Sequence, residues 1–255
     1  MTTDTRMLAD ARGVTLVELM VALTLFSLVV ATGFRFLTIQ HRAAVIQEDA
    51  AETQQQLRAA MDFMMREIMA AGSGVPFDEP GIVLMEPGDI QFDSNVYNAA
   101  GRLIRRVDAG GREMDVRFDG EGDRFKEGKT ISICSVLYCE RHLLSADARG
   151  SNLSLAGGLI HEFPAGSSVQ LINRVEYVLK PIEETETFKI LRRVDKGVNP
   201  VAEGIKSMAL EYFDREGEET DRPEAVSRIR LRLSARLPRN PDLSRFLESD
   251  VHLRN

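Results

Sequence analysis

The patterned part of the chain begins with a run that has no polar face. Residues 14–34 read VTLVELMVALTLFSLVVATGF, and Glu18 is their one charge. As a helix this run would be about 31 Å long, close to the roughly 30 Å of a bilayer's hydrocarbon core. It therefore predicts a transmembrane helix. A buried soluble helix is one alternative and a secretory signal peptide another. A signal peptide's apolar region is usually about 7–15 residues and ends at a small-residue cleavage site. This run is longer and passes straight into a polar helix.

From Phe36 the period changes. Phe36, Ile39, Ala43, Ile46, Ala50, Thr53, Leu57, Met61, Met64 and Ile68 recur at three- and four-residue steps, with Gln, Glu and Arg between them. No Pro or Gly interrupts residues 35–71, and Gly72-Ser73-Gly74-Val75-Pro76 is a strong stop. One long helix is predicted over 14 to about 71. Its first half suits a membrane or a filament core, and its second half presents a stripe to a globular domain. Met61, Met64, Met65 and Met69 read as ordinary core.

Beyond Pro76 the period drops to two. Candidate strands are 82–85, 90–92, 103–107, 114–118, 130–136, 153–155 and 169–172. Further candidates centre on Val175 to Leu179, Phe188 to Val194, Met208 to Tyr212 and Ile229 to Leu233. Asp108-Ala109-Gly110-Gly111 reads as a hairpin turn. The expected fold class is α+β, a long N-terminal helix packed on an antiparallel sheet. The expected segments are 1–13 as a leader, 14–34 as a transmembrane segment, 35–74 as the amphipathic half of the helix and 75–255 as a β-rich domain. Residues 95–165 are a candidate insertion within that domain.

Composition excludes more than it proposes. The net charge of -7 gives no electrostatic reason to seek nucleic acid or an anionic membrane surface. No GxSxG, HExxH or P-loop occurs, and His41, His142, His161 and His252 are scattered and read as surface residues. No catalytic residue, cofactor or metal site is expected. The acidic turn of Asp214, Glu216, Glu218, Glu219 and Asp221 is oxygen-rich, yet lacks EF-hand spacing and reads first as a solvated hairpin tip. Arg228, Arg230 and Arg232 share one strand face. They suit a charged solvent face, a guarded edge or salt bridges between subunits. Cys134 and Cys139 are either two buried thiols or, in an exported domain, a disulfide closing a small loop.

Glu18 is the anomaly. A carboxylate within a bilayer costs roughly 2.5–3.5 kcal/mol near the centre and less near an end, so it either reaches headgroup water or waits for a positive partner. Here Arg12-Gly13-Val14-Thr15-Leu16-Val17-Glu18-Leu19 resembles the prepilin cleavage and methylation motif of type IV pilins and type II secretion pseudopilins. A short polar leader ends in Gly13, an apolar residue follows, and Glu18 takes the fifth mature position. The family usually has Phe where this chain has Val14.

The resemblance implies cleavage by the prepilin peptidase between Gly13 and Val14, N-methylation of Val14, and pairing of Glu18 with a neighbouring subunit's N-terminal amine. It also implies a cytoplasmic leader, which Arg6 and Arg12 before the span and Arg35 and Arg42 after it leave balanced. The chain would be a single-pass inner-membrane protein with its domain in the periplasm, later at a filament's base or tip.

Tyr177, Leu191-Arg192-Arg193, Ala202-Glu203-Gly204-Ile205, Leu210-Glu211-Tyr212-Phe213-Asp214 and the C-terminal Ser249 to Asn255 resemble the minor pilins called PilW, related to the minor pseudopilin GspJ. The helix end at residues 60–72 is similar to theirs. The resemblance implies a non-enzymatic minor pilin that primes filament assembly in a tip complex. Its partners would be other minor pilins, the major pilin and the inner-membrane assembly platform. A minor pseudopilin of a type II secretion system is the first alternative, and a bitopic periplasmic enzyme or receptor the second.

Overall fold

The computed structural model describes residues 15–120, 122–183 and 185–253. Helix α1 runs uninterrupted over Leu16–Met69. Its last turn tightens as the Ala70 and Ala71 N–H groups donate three residues back, to Glu67 and Ile68. Gly72 and Gly74 then take φ of 84° and 78°, the left-handed values that end a helix. The turn is also crowded, since a Cβ on Gly81 would lie 2.5 Å from the Gly72 Cα.

Two compact units divide inside α1, as Met1–Asp49 and Ala50–Asn255. In the first, every described residue from Thr15 to Ala44 is exposed. The second contains the end of α1 and, among the described residues, twelve strands. These are β1 Ile82–Glu86, β2 Asp89–Ser94, β3 Ala100–Leu103, β4 Glu113–Phe118, β5 Thr130–Cys134 and β6 Cys139–Leu143. They continue as β7 Asn152–Ser154, β8 Ser168–Pro181, β9 Phe188–Val194, β10 Gly197–Phe213, β11 Arg228–Leu237 and β12 Asn240–His252. All pairings are antiparallel, in the order β12-β11-β10-β9-β8-β3-β4-β7, with β2 and β5 also on β8. The layout is the expected α+β one, a long helix on a large antiparallel sheet.

The apolar residues form two cores. Leu57, Met61, Met64 and Ile68 of α1 pack with Phe92, Tyr177, Ile190, Leu210 and Ile229 from the sheet. The helix stripe is thus the complement of the alternate inward residues of β2, β8, β9, β10 and β11. A second core spans residues 99–171, with Leu103, Val116, Phe125, Ile131, Leu153 and Phe163 at its centre. Strand β8 serves both. Val169 and Leu171 belong to the second core, while Val175 and Tyr177 belong to the first.

Several expected strands are redrawn. The run 103–107 is strand only at its first residue. Val107 leaves the sheet and makes an isolated bridge to Phe163, because Phe163 offers it a place in the second core. Asp108 to Gly111 forms a turn, closed by Gly111 N–H on the Asp108 carbonyl at 3.0 Å. It does not join β3 to β4 as a tight hairpin. The runs around 169–172 and 175–179 are one strand, β8.

Candidate assembly site

Glu18 is held by its own helix. Its Oε2 accepts from the Thr15 N–H at 2.9 Å and the Thr15 hydroxyl at 3.0 Å, while Glu18 N–H donates to Thr15 Oγ1 at 3.2 Å. This is a reciprocal capping box, which satisfies donors that a helix start would leave open. The Thr15-x-x-Glu18 spacing announces it, although Glu18 reads first as a charge in an apolar run. Both bonds use Oε2, so Oε1 makes no hydrogen bond among the described residues. Glu18 thus stabilises its own helix start and still offers an oxygen outward. Gly13 and Val14, the expected cleavage and methylation positions, lie outside the described residues.

The run from Leu19 to Phe34 suits an apolar medium. Leu19, Val21, Leu25, Leu28 and Phe34 all stand exposed, around the whole helix circumference. The polar side chains among them are internally satisfied. Thr24 donates to the Val21 carbonyl, Ser27 to Leu23, Thr32 to Leu28 and Thr38 to Phe34, at 2.6–2.9 Å. A helix that keeps its hydroxyls on its own backbone leaves no open donor toward lipid.

The second unit anchors the end of α1 through one carboxylate. Arg192 of β9 grips Glu67 with two bonds, Nε to Oε2 at 2.7 Å and Nη2 to Oε1 at 2.5 Å. The Tyr177 hydroxyl donates to the same carboxylate. Burial, reinforced by Glu67, pushes the Tyr177 phenol far above its ordinary value, so it stays a donor. Asp93 plays the matching role near the second core. Burial alone would raise its pKa, but hydrogen bonds from Arg174 and Arg141 outweigh that and hold it low.

The arginines of β11 are spent inside the sheet. Arg228 and Arg230 bond Asp250 of β12, and Arg232 bonds Glu211 of β10 at 2.7 Å and Glu248 of β12. Within the chain the face is a cross-strand charge ladder. In the acidic turn, Asp214 Oδ1 accepts the Glu218 N–H at 2.9 Å, a turn-closing bond. No group of three or more His, Cys, Asp or Glu that could hold a metal occurs among the described residues.

Cys134 and Cys139 are bonded, with an S–S distance of 2.05 Å, as facing residues of β5 and β6. Beside them lies a cluster the sequence hides. Glu140 is buried, and it accepts from the N–H groups of Ile160 at 2.9 Å and His161 at 2.6 Å. Its oxygens also contact His142 Nε2 at 2.7 Å and His161 Nδ1 at 2.8 Å. Two of the four scattered histidines are therefore partners of one carboxylate. Nothing in the separation of 142 from 161 signals this, because the second core brings the two segments together.

Compared with known families, residues 8–34 match the model of the prokaryotic N-terminal methylation motif. No curated protein matches the chain. The matched stretch takes in Gly13, Val14, Glu18 and the whole apolar run. It implies processing by the prepilin peptidase and membrane anchoring through that run. With one helix among the described residues long and apolar enough to cross a bilayer, near the N-terminus, the chain is similar in anchor and layout to type IV pilins and pseudopilins.

Proposed function

We propose that this chain is a minor pilin of a type IV pilus, of the PilW type. It is a structural subunit that primes filament assembly in a tip complex with other minor pilins. The prepilin peptidase cuts it between Gly13 and Val14, and Val14 becomes the methylated first residue. The domain stands in the periplasm on an inner-membrane helix, beside the assembly platform and the major pilin. The subunit works by interaction and catalyses no reaction.

One observation carries this reading. A prepilin-type motif continues into a 54-residue helix whose apolar part is exposed and has no packing partner among the described residues. Such a surface is stable only in lipid or among similar helices. Glu18 adds direction. After cleavage at Gly13, a neighbour's new amine can pair with the carboxylate and remove an unmatched charge from apolar surroundings. In this reading Thr15 keeps Glu18 in place until that partner arrives.

The test is co-purification of wild type and Glu18→Leu with the other pilins, alongside surface filament counts in a strain lacking the native gene. Membrane levels of the variant should equal or exceed wild type, since an expensive group is removed. Recovery of partners and filament number should both fall. Equal recovery and normal filaments would remove the assembly role. Normal filaments with failed protein secretion would reassign the chain to a secretion pseudopilus.

A further inference from the structure

Strand β12 is the outer edge of the sheet and, at 13 residues, a long one. Leu253 N–H donates to the Ser227 carbonyl at 2.9 Å, so Leu253 turns its backbone toward β11. Strand backbones alternate, and the pairing with β11 keeps one register from His252 back to Ser244. Leu247, Ser249 and Val251 therefore bond β11 as well. The N–H and C=O groups of Phe246, Glu248, Asp250 and His252 point off the sheet. None of these four has a backbone partner among the described residues.

An edge in this state is a template for another strand, and folded proteins blunt such edges with Lys, Pro, a bulge or an inward-pointing charge. In β12 those devices stand at the near end only. Pro241 is its second residue, the bulge falls between the Arg236–Ser244 and Leu237–Asn240 pairs, and Arg245 shares the inward face. From Phe246 to His252 there is no Lys, Pro or bulge. The two acids of that stretch are drawn back across the sheet, Asp250 by Arg228 and Arg230 and Glu248 by Arg232. The inward face is also incompletely covered. Val251 is buried against the first core, but Leu247 and Leu253 only partly so. On the outward face Phe246 is 80% exposed.

We infer that residues 246–252 of β12 are a docking edge for an extended strand of a partner subunit, which adds to the sheet beside β12 through main-chain hydrogen bonds. The inward side chains of that strand are apolar and continue the first core past Leu247 and Val251. Its outward side chains carry hydroxyls or cations opposite Glu248 and Asp250. A second copy of this stretch does not fit that description. Antiparallel pairing of 246–252 with itself sets Glu248 against Asp250, or either acid against its own copy, at the registers of greatest overlap. Like charges directly opposite each other are destabilising. That the strand comes from another filament subunit rests on the pilin reading; the state of the edge does not.

The test uses the full-length chain in detergent micelles and a short peptide that alternates valine with lysine or threonine. Amide exchange should slow about tenfold at Phe246, Glu248, Asp250 and His252. It should not change at Leu247, Ser249 and Val251, whose N–H groups already bond β11. The same peptide N-methylated at its lysine and threonine nitrogens should have no effect, since those nitrogens would face β12. Phe246→Pro removes an N–H that bonds nothing in the free chain, so it should keep the melting temperature and abolish the slowing. Phe246→Ala should keep both, because the bonds are main-chain. No slowing with the peptide, slowing by its N-methylated form, or slowing in Phe246→Pro equal to wild type would each overturn the inference. The peptide experiment does not depend on the pilin reading, which Glu18→Leu tests separately, so the two can fail independently.

Discussion

Glu18 and Glu67 are two carboxylates on one helix with opposite circumstances. Glu67 has its partners in its own chain, Arg192 and Tyr177, on strands that fold against it. Among the described residues Glu18 has only Thr15, three residues away, and an oxygen left over. The apolar residues divide the same way. Leu57, Met64 and Ile68 are buried, while Leu19, Leu25 and Leu28 stand out. The location of a residue's partner decides which property a substitution changes: stability where the partner is in the chain, anchoring and assembly where it is not.

The comparison breaks most visibly with a charge placed in each half. Ile68→Asp puts a carboxylate into the first core and should cost at least about 4 kcal/mol, enough to prevent folding of the second unit. Leu25→Asp should leave that unit's melting temperature unchanged and reduce recovery in the membrane fraction. Circular-dichroism melting of both variants in detergent, with fractionation of cells, checks this. Equal destabilisation by the two would mean that the apolar run is part of the folded core.

Arg192→Ala is the next largest effect. It strands Glu67 beneath the sheet and should cost about 3 kcal/mol, read as a lower midpoint in urea. Glu67→Gln should cost less, because the amide can still accept from Tyr177. Replacing Cys134 and Cys139 by Ser together should cost about 2 kcal/mol on the chain-entropy account of a short loop. Thiol alkylation before and after reduction should find no free thiol in the freshly isolated protein.

The smallest effect concerns Asp89, at the β1–β2 turn. Burial, with Glu176 and Glu86 nearby, raises its pKa to about 6. Its unfolded value is near 3.8, so the folded form takes up a proton as pH falls from about 6 to about 4. This group therefore destabilises the fold above pH 6 and ceases to do so below pH 4. Asp89→Asn should add about 1 kcal/mol at pH 7, with the gain vanishing at pH 4. An equal gain at both pH values would assign the effect to something other than ionisation.

The helix is legible in the sequence because its two halves carry unmistakable periods and its stop is a pair of glycines. The inward strands are legible for the same reason: Val175, Tyr177 and Ile190 alternate because one face is buried. β12 is not, because among its described side chains Val251 alone is fully buried and the edge gives little period to read. β6 hides because its one buried residue, Glu140, is charged. Glu18 announces itself as a charge out of place, whereas the Glu140 cluster needs two segments that only tertiary structure brings together.

Strand β8 carries a mechanical consequence. It is hydrogen-bonded on both sides, to β2 and β9 at one end and to β3 and β5 at the other. A pull arriving along α1 enters the sheet through Glu67, at Tyr177 of β8 and Arg192 of β9. Along β8 many parallel bonds take the load together, and direct ties to the second core, Ser132 Oγ on the Gly74 carbonyl and Arg141 on Asp93, run beside it. The two cores therefore share tension through β8 and these ties, and the domain should yield as a single unit.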